Sequence, residues 1–145
     1  MASFVKFKQF TMDLGIRVHD LRAGGDTLKI YLSATAPDVD LYTLKADLPG
    51  IVEEYGYLPA DVQNDFSLVD GVATMVGVNV TFTGTGSALL GFGPFRYVVL
   101  YNATTIVKVD PLIGFWDCGE EIVVLGTNEY IVNFASLGTA VLTIT

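Results

Sequence analysis

Alternating apolar and polar residues predict β-strands over much of this chain. Residues 27–34 and 76–83 alternate with a period of two, which places the apolar side chains on one face of a sheet. The second half adds runs rich in β-branched and aromatic residues, at 95–101, 112–116, 121–125, 129–135 and 139–144. Turn residues separate these runs, and strand starts recur about every ten residues. The pattern predicts an all-β fold, either an antiparallel β-sandwich or a jelly-roll-like barrel.

The first fifteen residues follow a helical period instead. Phe4, Phe7, Phe10 and Leu14 are three to four residues apart, which predicts a short amphipathic helix that ends at Gly15. The segment 1–25 is therefore interpreted as an N-terminal helix or docking arm.

The rest of the chain predicts one domain. Prolines interrupt the region 36–70, where we expect loops, a helical turn or two, and a short strand near 55–58. Helical runs long enough for a parallel crossover are missing from the sequence, which disfavours a parallel α/β sheet. We interpret 1–145 as a single β-rich domain.

Composition and charge exclude several classes of partner. Hydrophobic residues make up 51% of the 145 residues, enough for a folded core, and the net charge of −8 offers no basic stripe for nucleic acid. Lys6 and Lys8 lie inside the N-terminal apolar run, so it does not resemble a signal peptide, and we expect the protein to stay in a cytoplasm. The uncharged stretch 71–95 is long enough for a membrane span, but its glycines and threonines favour a strand followed by a loop.

Candidate catalytic and metal-binding residues do not form a convergent set in the sequence. The adjacent carboxylates, Glu53-Glu54 and Glu120-Glu121, would point to opposite sides of a strand. His19 is the only histidine and lacks a serine elbow, and Asp38, Asp40 and Asp47 lack the calcium-loop pattern. Cys118, the only cysteine, follows Asp117, an acidic setting that raises a thiol pKa. The sequence therefore predicts no enzyme activity, no cofactor and no metal.

The charge is distributed unevenly along the chain. Residues 1–45 carry a net charge of +1, whereas residues 46–145 carry −9. These charges either form ordinary solvated faces, or allow the apolar, locally basic N-terminal segment to dock on an acidic neighbour such as another copy of this chain. With aromatic residues in and beside the C-terminal strands, the residues favour a binding or assembly module over an enzyme.

Several short motifs follow one another in a defined order along the chain. The first half contributes 26–37, 44–48 and the pair Gly56-Tyr57, and the second half contributes 93–102, 110–117 and 130–134. This order resembles a family of small virion proteins of tailed bacteriophages, and the resemblance spans nearly the whole chain. The sequence departs from the family pattern at Glu54-Tyr55, where small polar residues are common, and at Cys118, where an aromatic residue is more usual.

The resemblance implies a structural role without catalysis. It suggests a decoration, or cement, protein on the outside of the bacteriophage head, which binds the major capsid protein and stabilises contacts between its subunits. The expected location is the capsid surface, after assembly in the host cytoplasm, and a dimer or trimer is expected. The residues expected to bind a partner are Phe4, Lys6, Phe7, Lys8 and Phe10, with Arg96 as an ion-pair partner.

Two alternatives stay open at this point. A tail or neck component of the virion would share every feature described above. A carbohydrate-binding β-sandwich would instead require Trp116 and Tyr101 to be exposed to solvent.

Overall fold

The computed structural model describes residues 3–134 and 141–144, and the regular secondary structure of these residues is mostly β, with one α-helix. In chain order the elements are β1 (Val5–Lys6), α1 (Lys8–Gly15), β2 (Leu28–Ser33), a 3₁₀ turn (Lys45–Asp47), β3 (Ala60–Asp61), β4 (Asp65–Val69), β5 (Val72–Val76), β6 (Val80–Thr83), β7 (Gly91–Asn102), β8 (Leu112–Leu125), β9 (Glu129–Val132) and β10 (Leu142–Ile144).

The strands form antiparallel sheets that pack against one another. The largest sheet has the order β1-β8-β7-β2-β3, and its centre is the pairing of the two long strands β7 and β8. A three-stranded sheet, β10-β5-β4, and a two-stranded sheet, β6-β9, complete the described strands. The prediction of an all-β antiparallel sandwich is confirmed, whereas a jelly-roll arrangement is not.

The main core lies between the sheets. Its largest buried side chains include Trp116, Phe92, Phe95, Phe134 and Tyr57. A smaller cluster covers the other face of the large sheet, and it contains Phe7, Tyr31, Leu48, Val99, Tyr101, Leu112 and Phe115. The middle of β7 is therefore buried on both faces, which explains why its sequence is a continuous apolar run instead of an alternating one.

The N-terminal helix ends at Gly15, as the spacing predicts, but it begins only at Lys8. The residues before it form β1, in which Val5 lies opposite Phe115 of β8. The strand predicted at 27–34 is present as β2.

Three strand predictions are wrong in detail. The alternating run at 76–83 is divided between β5 and β6, because the Val78 N–H donates to the Val62 carbonyl and the chain changes sheets there. The two strands predicted around Gly119 form a single strand, β8, because glycine adopts the observed φ of 86° without strain. The strand expected at 55–58 is a turn in which Tyr55 and Gly56 have positive φ.

The C-terminal predictions are confirmed only in their described parts. The run 129–135 forms a strand over Glu129–Val132, and the run 139–144 forms one over Leu142–Ile144. Residues 135 and 139–140 lie outside the described residues. In the part of the chain that the structure describes, helices are too short and too polar to cross a membrane, and the uncharged stretch 71–95 contributes to β5, β6 and β7.

Candidate functional site

The N-terminal segment is built into the fold. β1 pairs with β8, and α1 packs beside the same strand. Phe7 and Phe10 are completely buried inside the chain. The prediction that these two side chains bind a partner from a docking arm is therefore corrected, because the chain's own core already covers their apolar surface.

The other N-terminal residues keep some accessible surface. The half-buried Phe4 ring packs on Trp116, with ring centroids 5.0 Å apart. Lys6 is exposed, and Lys8 forms an exposed ion pair with Asp40 that raises the pKa of Lys8. Exposed ion pairs contribute little to stability, so both lysines stay available for a partner contact.

Arg96 already has a partner within the chain. Its Nε and Nη2 atoms donate to the two carboxylate oxygens of Asp117, at 2.9 and 3.1 Å. This bidentate pair, together with the Gly119 N–H, lowers the pKa of Asp117. The pair crosses from β7 to β8, and β8 separates Arg96 from Lys6 on β1. The structure therefore gives Arg96 an internal ion pair instead of a free charge.

The aromatic residues required by the carbohydrate-binding alternative are not exposed. Trp116 is 1% accessible and Tyr101 is 5% accessible. Trp116 packs between Phe4 and Phe134 in the main core. The prediction that Trp116 and Tyr101 are exposed for carbohydrate binding is therefore wrong, because a sugar cannot stack on a ring that the core covers.

Cys118 is a half-buried free thiol. Its Sγ atom lies 3.2 Å from the Tyr130 hydroxyl, and its pKa is raised. The direction agrees with the sequence prediction, but the largest cause is burial, and Asp117 contributes less. Such a thiol is a poor nucleophile at neutral pH.

The most unusual exposed surface is the connection between β7 and β8, residues 103–110, which we call the β7–β8 loop. Ile106 is fully exposed, and Val109 and Val107 are 77% and 56% exposed. Lys108, between them, points inward and its side chain is only 28% exposed. The apolar side chains of Ile106, Val107 and Val109 therefore face solvent while the charged Lys108 among them is directed into the protein, the reverse of the usual arrangement.

Hydrogen bonds at its start hold this loop in place. The buried Asn102 side-chain oxygen accepts the N–H groups of Thr104 and Thr105, both at 3.1 Å. The Thr105 hydroxyl donates to the Val18 carbonyl at 2.7 Å. The loop is thereby tied to the segment that follows α1, so its apolar side chains are presented from an ordered backbone.

Lys108 anchors the middle of the loop to a buried carboxylate. Its Nζ atom donates to Asp13 Oδ1 at 2.6 Å, and Gln9 Nε2 donates to the same oxygen at 3.0 Å. Asp13 lies on α1 and is completely buried. A buried carboxylate needs a nearby cation, so the inward direction of Lys108 is required by Asp13.

His19 completes this buried polar cluster. The Asn102 Oδ1 atom already accepts two backbone N–H groups, which fixes the orientation of the amide. The Nδ2 atom of Asn102 therefore lies 3.0 Å from His19 Nδ1 and donates to Asp26 Oδ2 at 2.7 Å. Nδ1 therefore accepts, and the neutral ring carries its proton on Nε2, which faces Asp13 Oδ2 across 4.0 Å. These two facing atoms are buried without a hydrogen-bond partner in the described structure.

Burial keeps the His19 ring neutral. Desolvation lowers its pKa to about 4, against the opposing attraction of Asp13 and Asp26. Protonation of this imidazole at neutral pH is therefore unfavourable. The cluster is arranged to position the β7–β8 loop and α1, with no charged imidazole in its resting state.

A cavity of about 920 Å3 lies between α1, the segment after it and the β7–β8 loop. Its apolar walls include Leu14, Phe66, Ile106, Val107 and Ile144. An exposed arginine, Arg17, also lines it. Met12 directly precedes Asp13 in α1, and Ile16 follows the last residue of the helix. Both side chains are exposed, and they add apolar surface beside the Lys108–Asp13 ion pair.

This arrangement is suited to binding an apolar surface of another protein. Clusters of three or more His, Cys, Asp or Glu side chains able to hold a metal ion are not found within 3–134 and 141–144. Comparison with known proteins found no matching family model, and no curated protein or solved structure with significant similarity to this chain.

The sequence patterns do not single out the β7–β8 loop. It lies between the predicted strand runs 95–101 and 112–116, where Asn102, Asp110 and Pro111 are typical turn residues. An available signal was the apolar run Ile-Val-Lys-Val inside that connection, since loops are seldom apolar without a reason. The partner of Lys108 had no sequence signal, because Asp13 is 95 residues away along the chain.

Proposed function

We propose that this protein is a structural subunit that binds other proteins through the β7–β8 loop, and that it serves as a decoration protein on the outside of a bacteriophage head. The major capsid protein is its proposed partner. The observation that carries the protein-binding role is the reversed loop, with Ile106, Val107 and Val109 outside and Lys108 inside. The bacteriophage assignment rests on the sequence resemblance.

The loop geometry suits attachment to a shell. Burying an exposed Val or Ile side chain stabilises a complex by about 1.5–3 kcal/mol, and three such side chains lie on one ordered loop. Because hydrogen bonds already order the loop, binding costs little conformational entropy. Repeated at many equivalent sites, such contacts would hold neighbouring capsid subunits together against internal pressure.

The location in the virion is tested by stoichiometry. Quantitative mass spectrometry of purified virions compares the copy number of this chain with that of the major capsid protein. The proposal predicts a ratio near one or a simple fraction of it. A handful of copies per particle would favour a tail or neck component, and absence from virions would contradict a virion role.

Replacing the two most exposed loop residues should weaken partner binding. The double variant Ile106→Asp, Val109→Asp is expected to reduce affinity for shells lacking this protein about a hundredfold, because two apolar anchors become charged. The unfolding free energy should change by less than about 0.5 kcal/mol, since both side chains are exposed. Co-sedimentation with shells and urea unfolding measure the two quantities.

A matched control lies at the other end of the molecule. Leu89 and Leu90 are exposed apolar residues just before β7, whereas the β7–β8 loop follows its end. Twelve residues of strand separate them, a distance of about 40 Å. The double variant Leu89→Asp, Leu90→Asp should retain binding to shells. Equal loss in both double variants would mean that the β7–β8 loop is not the binding surface.

A further inference from the structure

Strand β4 is an open edge of the three-stranded sheet. The strand order in this sheet is β10-β5-β4, so β4 pairs with β5 on one side and has no described strand on the other. Four of its five residues are exposed, including Leu68 at 71% and Val69 at 64%. An open edge with exposed apolar residues favours pairing with another strand.

The hairpin geometry determines which backbone groups point to this edge. Asp70 and Gly71 have φ of 51° and 78° and connect Val69 to Val72 as a two-residue turn. In such a hairpin the residues that flank the turn exchange hydrogen bonds, and so does every second pair after them. Ser67 therefore bonds to β5, while the N–H and C=O groups of Phe66 and Leu68 point outward.

These outward groups are arranged symmetrically about Ser67, which makes the edge complementary to itself. We propose that two copies of this chain pair through β4, antiparallel and related by a two-fold axis at Ser67. Phe66 then lies opposite Leu68 of the second copy, and each such pair exchanges two backbone hydrogen bonds. The result is a continuous six-stranded sheet across the dimer.

The side chains fit the same register. Phe66 packs against the main core, and Leu68 lies on the same face but is exposed. Pairing places Leu68 of the second copy beside Phe66, at the wall of the 920 Å3 cavity that Phe66 lines. Asp65 lies opposite Val69 of the second copy, so the pairing brings no like charges face to face.

One internal contact has to be exchanged when the dimer forms. Asp65 Oδ1 accepts the Phe66 N–H at 2.7 Å and lies 3.4 Å from the Ala23 nitrogen. In the dimer the Leu68 carbonyl of the second copy takes over the Phe66 N–H. The N-terminal segment, which the sequence suggested for self-association, is already paired with β8, whereas the outer edge of β4 has no strand partner among the described residues.

The first test measures self-association of the full chain by sedimentation velocity. Leu68→Lys is expected to raise the dimer dissociation constant about tenfold or more, because each dimer loses two cross-strand apolar pairs. Ile131→Lys is the matched control, since Ile131 is also apolar and exposed but lies on β9. A chain that stays monomeric at about 100 μM, or equal weakening by both variants, would overturn the proposal.

The second test detects the two-fold axis itself. Ser67 faces Ser67 of the second copy in a pair without direct hydrogen bonds, where the side chains are closest, so Ser67→Cys should form an intermolecular disulfide. Val69→Cys, which faces Asp65 of the second copy, should cross-link much less. Both variants are made with Cys118→Ser and compared on non-reducing gels; equal cross-linking would contradict this register.

This inference is independent of the proposed function. If the dimer dissociates in Leu68→Lys but shells still bind, the β7–β8 loop and the β4 edge are separate surfaces. If the Ile106→Asp, Val109→Asp variant loses shell binding but still forms the dimer, the same conclusion follows.

Discussion

Lys108→Met is expected to lower the free energy of unfolding by about 3–5 kcal/mol. The substitution keeps the length of the side chain but leaves the Asp13 carboxylate buried without its cation. Among the described residues Asp13 Oδ2 already has no hydrogen-bond partner, and only Gln9 would remain on Oδ1. Urea unfolding at pH 7, monitored by Trp116 fluorescence, measures the loss.

Lys8→Met is the control for this experiment. Lys8 also pairs with an aspartate, Asp40, but 70% and 61% of the two side chains are exposed. Exposed pairs contribute about 0–1 kcal/mol, so this variant should unfold almost like the wild type. A second variant, Lys108→Met with Asp13→Asn, should recover part of the loss because the buried charge is gone. Equal losses for Lys108→Met and Lys8→Met would contradict the buried anchor.

Acidification should destabilise the protein through His19. The pKa of this imidazole is about 4 in the folded chain and about 6.5 when unfolded. Between these values the unfolded chain binds a proton that the folded chain excludes, so the unfolding free energy falls as pH decreases from 6.5 to 4. The total loss is about 3 kcal/mol, and no further loss comes from His19 below pH 4.

The variant His19→Asn isolates this contribution. Its side-chain oxygen can accept the Asn102 amide as His19 Nδ1 does, but it does not titrate. Asp13, Asp26 and Lys108, the charged groups that act on His19, stay in place. Urea midpoints measured from pH 7 to pH 4 should therefore fall less in His19→Asn than in the wild type. Parallel curves for the two proteins would mean that His19 does not control acid stability.

The Lys108→Met and His19→Asn variants both alter the buried polar cluster that supports the β7–β8 loop. Lys108 holds the middle of the β7–β8 loop, and Asn102 links the start of that loop to His19. Weakening the cluster should make the loop less ordered, and binding would then cost more conformational entropy. Partner binding should consequently weaken in Lys108→Met, although Ile106 and Val109 are unchanged.

Self-association and shell binding would serve one structural role. A subunit with a partner-binding loop and a separate self-pairing edge can join two attachment sites on a shell. The edge at β4 and the loop after β7 lie on different elements, although Phe66 and Ile106 line the same cavity. Leu68 and Val109 lie outside that cavity's lining, so substitutions there test the two surfaces separately.

Local sequence patterns predicted the fold class, the helix and most strands. The alternation at 27–34 and the helical spacing that ends at Gly15 are local patterns, and local periodicity directly reflects which face of an element is buried. Local periodicity did not determine the break between β5 and β6 or the continuity of β8 through Gly119. Those depend on which distant strand the chain meets, such as the Val62 carbonyl that accepts the Val78 N–H.

The candidate site depends on long-range packing that local sequence patterns do not show. Phe7 and Phe10 have the same residue type whether they serve a core or a partner, and only the packing of the N-terminal segment, β1 and α1, on β8 assigned them to the core. The sequence likewise contains Asp13, His19, Asn102 and Lys108 as separate polar residues. Folding brought them together across as many as 95 positions, and the resulting need to neutralise a buried carboxylate turned Lys108 inward and Ile106 outward.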